Sequence, residues 1–134
     1  MLNRMIAAMT LLMLSGTAMV QESTAAQSWL TRSGYYRVSY VSKLDPLTIN
    51  RIHNWVFHID SPAGTPVENA IVSVTGGMPK HNHGLPTDPV MTQSLGNGDY
   101  LLEGMRFHMN GDWELTVTVE AGGRRDTVII PLTI

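Results

Sequence analysis

The chain has 134 residues, a formal net charge of −2 and no cysteine. One domain is the expectation at this length. The composition excludes disulfide frameworks, cysteine-based zinc sites and thiol nucleophiles, and the absence of any basic run argues against a nucleic-acid surface.

The first segment reads as a targeting sequence. Arg4 supplies a positive start, Met5 to Val20 is largely apolar and uncharged, and Thr24-Ala25-Ala26 offers small residues for cleavage. The apolar run is shorter than the roughly 20 residues that span a bilayer. Residues 1–26 are therefore expected to be a signal peptide. The protein is then periplasmic or secreted, with membrane attachment only if the segment is kept as an anchor. Residues 27–33 read as a linker, and residues 34–134 as the folded domain.

Strand signals dominate the rest. Gly34 to Ser42 is rich in Tyr and Val. In Arg51 to Asp60, the residues Trp55, Phe57 and Ile59 share one face at a period of two, with His53 on the same face and His58 on the other. His53 reads as a hydrogen-bonded structural histidine and His58 as a surface residue. Val67 to Thr75 alternates Ala70, Val72 and Val74 against Ile71, Ser73 and Thr75. Gly76 to Pro89 reads as irregular, Val90 to Leu95 as a short strand, and Gly96-Asn97-Gly98-Asp99 as a turn before Tyr100 to Phe107. Trp113 to Glu120 alternates cleanly, and Asp126 to Ile134 closes the chain. The pattern predicts an all-β, immunoglobulin-like antiparallel β-sandwich of about seven strands, with a barrel as the competing form.

Chemistry concentrates in two places. Met78, His81 and His83 fall within six residues of a loop bent by glycine and proline. Thioether sulfur is a soft ligand suited to Cu(I), and imidazole suits either copper state. Met105, His108 and Met109 form a second cluster, in which Met105 and Met109 share a face with Phe107. Each group has an ordinary reading as well. Met78 and Met105 serve equally as core fillers, and the histidines as solvated loop residues. No nucleophile–base pair, phosphate loop or HExxH helix is present in the sequence. An enzyme is not expected.

The ordered pieces Gly64-Thr65-Pro66-Val67, Ala70 to Val74, Met78-Pro79-Lys80-His81-Asn82-His83-Gly84, Gly98-Asp99-Tyr100, Gly104 to Met109 and Gly111 to Leu115 resemble the YtkA-like domains. These are related to the periplasmic part of FixH-like proteins. The resemblance implies an exported immunoglobulin-like sandwich linked to copper handling. It carries copper ligation over to Met78, His81, His83, Met105, His108 and Met109, and implies a periplasmic or membrane copper-handling protein as partner. The chain departs from FixH-like proteins in having a cleavable-type leader where those carry an anchor. The alternative expectation is a periplasmic interaction module that binds no metal.

Overall fold

A computed structural model describes residues 26–134. The expected signal peptide falls almost wholly outside these residues. Within them the chain forms nine strands: β1 Ser28–Leu30, β2 Arg37–Ser42, β3 His53–Asp60, β4 Ile71–Met78, β5 His83–Gly84, β6 Val90–Gly96, β7 Asp99–Met105, β8 Asp112–Ala121 and β9 Arg124–Thr133. They make two antiparallel sheets, ordered β1-β2-β3-β7-β6 and β5-β4-β8-β9. The all-β sandwich is as expected; the count is nine rather than about seven. One added strand, β1, lies in the stretch read as a linker and pairs with β2. The other, β5, is a two-residue strand inside the segment read as irregular.

Alternation builds the core. His53, Trp55, Phe57 and Ile59 of β3 face inward, opposite Trp113, Leu115, Val117 and Val119 of β8. Val72 and Val74 of β4 are buried, while Ile71 stands out into solvent. Burying such side chains contributes roughly 1.5–3 kcal/mol each. The turn between β6 and β7 uses Asn97 and Gly98, both at positive φ, as a tight hairpin requires. A Cβ at Gly98 would lie 2.6 Å from the Ile59 carbonyl oxygen, so only glycine fits.

Two polar anchors join the layers at the β8–β9 turn. The Tyr36 hydroxyl donates to the Arg124 carbonyl (2.7 Å) and accepts from the Ala121 N–H (3.2 Å). The buried Asp126 carboxylate accepts from the backbone N–H groups of Ser33 (2.9 Å), Tyr35 (3.4 Å) and Thr127 (2.9 Å). Burial works against its charge. Hydrogen bonds from the Thr31 side chain and from the Thr127, Tyr35 and Ser33 backbone outweigh that and hold its pKa below the ordinary carboxylate range.

Candidate imidazole site at the rim of the sandwich

The site forms at the opposite end of β8. Strand β4 ends at Met78, whose carbonyl accepts from the N–H groups of both His81 and Asn82 (3.0 Å each). Asn82 takes positive φ, and the chain turns back so that His83 registers opposite Met78. Residues opposite one another on paired strands share a face, which puts the Met78 thioether and the His83 imidazole on the same side.

The second contributor is the segment after β7. An irregularity between β3 and β7 sets His53 opposite Met105 and Trp55 opposite Leu102. The extra residue, next to Gly104 at positive φ, rotates Met105 into the core. Beyond it, His108 and Met109 are half-buried. The Trp113 indole N–H donates to the Met109 carbonyl (3.1 Å) and pins this segment.

The outcome is a cluster of rings. The His83 and His108 centroids lie 4.8 Å apart. Trp113 stands edge-on to both, at 5.7 Å from His83 and 5.6 Å from His108. His81 stacks on the outer side of His83 at 5.9 Å. Nε2 of His83 and Nδ1 of His108 are shielded from solvent and have no hydrogen-bond partner. Nδ1 of His83 lies 3.3 Å from the Gly84 carbonyl. The tautomer that makes this bond carries its hydrogen on Nδ1 and leaves the Nε2 lone pair free.

Of the six residues singled out from the sequence, His81, His83 and His108 meet at one rim. Met78 lies behind His83, only 2% exposed, and Met109 is tied to Trp113 through its carbonyl. Met105 is fully buried in the core. Among the described residues, no three His, Asp or Glu side chains form a group able to hold a metal ion by themselves. Trp113 was not singled out from the sequence, because the clean alternation of its strand gives no sign of which loops its ring meets.

Two other histidines differ in environment. His53 is buried and donates from Nδ1 to the Arg51 carbonyl (2.9 Å), the structural role expected of it. His58 is more than a surface residue. Its Nδ1 meets Asp99 at 2.6 Å and its Nε2 meets Asp60 at 2.9 Å. Partial desolvation opposes its charge, but the hydrogen bonds and charges of Asp99 and Asp60 prevail and raise its pKa.

The profile of the YtkA-like family matches residues 36–118. Among solved structures, the chain is similar to a DUF4426 family protein from Pseudomonas aeruginosa PAO1, at 19% identity and a TM-score of 0.56. That match covers 81% of this chain and 96% of the other. It is also similar to the ZirS C-terminal domain at 13% identity and a TM-score of 0.42, over 98% of this chain and 86% of that one. The first likeness supports the fold alone. No curated protein matches the chain.

Proposed function

The chain belongs to the YtkA-like family, and from that premise we propose that it is an exported, non-catalytic module that binds copper and passes it on outside the cytoplasm. The observation that supports this most directly is the pair of unpartnered nitrogens, His83 Nε2 and His108 Nδ1, on rings 4.8 Å apart. A buried polar atom without a partner is costly, and a soft cation is one occupant that removes the cost for two lone pairs at once.

The donor chemistry suits Cu(I). Imidazole and thioether are both acceptable to it, and it tolerates low coordination numbers. Two imidazoles with a third, thioether donor from Met78 or Met109 make an open site, as a cargo that must leave requires. Sites that hold a metal permanently are usually closed by four protein ligands. The Gly84 carbonyl orients His83 in the manner of an outer-shell partner.

The test is an anaerobic Cu(I) titration against a chromophoric competitor. One equivalent is expected to bind. The double variant His83→Ala/His108→Ala is expected to lose at least tenfold in affinity, and Met78→Leu is expected to keep the fold while reporting on the thioether. Wild-type affinity in the double variant would refute the site and leave the interaction-module reading in its place.

A further inference from the structure

A cargo ion needs a way into its site and out again. His83 Nε2 and His108 Nδ1 are both closed to solvent. Around His83, Trp113 is 1% exposed and Met78, opposite it in the ladder, 2%. His108 is half-buried. The remaining neighbour is His81. It is exposed, and its ring lies nearly parallel to that of His83, at 21° and 5.9 Å between centroids. The three imidazoles form a file that runs inward from solvent, in steps of 5.9 and 4.8 Å.

The backbone fixes where this file begins. The Met78 carbonyl accepts from the N–H groups of His81 and Asn82 (3.0 Å each), and Asn82 closes the turn at positive φ. The His81 ring is thus carried on a held backbone, and exposed side chains change rotamer within nanoseconds. His83 lacks that freedom. Its Nδ1 lies 3.3 Å from the Gly84 carbonyl, and its ring is packed among those of His81, His108 and Trp113. Lys80, next to His81 in the chain, is paired with Asp112 (3.0 Å), so an incoming cation does not face its charge unpaired.

We propose that His81 is the transfer ligand of the site: it takes Cu(I) from an incoming donor, hands it inward to His83 and His108, and takes it back on release. The role rests on the copper-binding reading of the site. Imidazole suits either copper state, so the exposed ring accepts the ion before it reaches the shielded pair. The donor's ligand leaves as the neutral His81 imidazole binds. The His81 bond then breaks as His83 Nε2 and His108 Nδ1 bind. Copper stays Cu(I) throughout, so no oxidant or reductant is needed. A ligand that binds only in passing changes the barrier equally in both directions. The dissociation constant, being the ratio of the two rates, is left where it was. A ligand of the bound state would change the constant itself.

Stopped-flow exchange of Cu(I) with a chromophoric competitor, run anaerobically in both directions, reads the two rates, and the endpoint gives the affinity. His81 is exposed, so its variants keep the fold, verified by circular dichroism. His81→Ala is expected to slow loading and release by the same factor, at least about fivefold, with affinity within about twofold of the wild type. His81→Phe keeps a ring to stack on His83 but has no donor, and is expected to be as slow. His81→Met supplies a soft donor again and is expected to recover most of the rate. Wild-type rates in His81→Ala or His81→Phe, a His81→Met variant as slow as His81→Ala, or an affinity that falls with the rates would each overturn the role of His81 and leave the copper site standing. A wild type that takes up no Cu(I) would remove the copper-binding reading, and this role with it.

Discussion

The methyl of Met78 occupies the space where Gly111 has no side chain: a Cβ built on Gly111 would stand 2.9 Å from Met78 Cε. The two residues come from different strand ends, and their fit sets the floor beneath the imidazole rings. Gly111 also has φ near +130°, a conformation that side chains other than hydrogen rarely adopt.

Gly111→Ala is therefore expected to lose about 1–3 kcal/mol of stability, from backbone strain together with overpacking against Met78. Urea denaturation measures it. A loss below about 0.5 kcal/mol, the range of an ordinary surface substitution, would show that the floor yields freely.

Asp126 gives a prediction in acid. Its folded pKa lies below the unfolded value of about 3.9. Its stabilisation is complete above that unfolded value and is lost as pH falls through the folded one. Asp126→Asn is expected to cost about 1–3 kcal/mol at pH 7, because it weakens acceptance from three backbone donors. The gap between wild type and variant should narrow at pH 3. Parallel denaturation curves at both pH values decide it, and a gap that does not depend on pH counts against the assignment.

His58 runs in the opposite sense. Its folded pKa is raised by its two carboxylate partners, so its contribution is complete below the unfolded value of about 6.5 and fades as pH rises through the folded value. Titration of the imidazole by NMR should place its midpoint above those of free histidines. Asp99→Asn should bring it down. A midpoint at or below 6.5 in the wild type is incompatible with the pairing.

Much of this architecture was legible from residue order alone. Trp55, Phe57 and Ile59 share one face as read, Val72 and Val74 share another, and both faces prove to be the inward ones, because side-chain alternation in a strand is a local property. The turn at Asn97-Gly98 was equally local. What escaped was whatever depends on a distant partner. Strand β1 exists because Ser28, Trp29 and Leu30 find Ser39, Val38 and Arg37; three residues carry no period of their own. The His58 pairing needs the β3–β7 register that sets Asp99 opposite. In the candidate site, the loop bent by proline and glycine singled out His81 and His83, and the structure stacks these rings and sets His83 beside His108. The burial of Met105 follows from an irregularity between two strands, and the place of Trp113 between His83 and His108 from where two loops happen to return.

The Tyr36 hydroxyl makes one end of the molecule unlike the other. From Ala121, which it grips, to Trp113 beside the imidazoles is eight residues of one strand, about 27 Å. The two sheets are thus stitched like a hinged clasp, with its pin at the β8–β9 turn and its lips at the histidines. The Trp113 indole bond to the Met109 carbonyl is a second stitch, at the lips, so the clasp is fastened at both ends of β8 and the rings of the cluster are held beside one another.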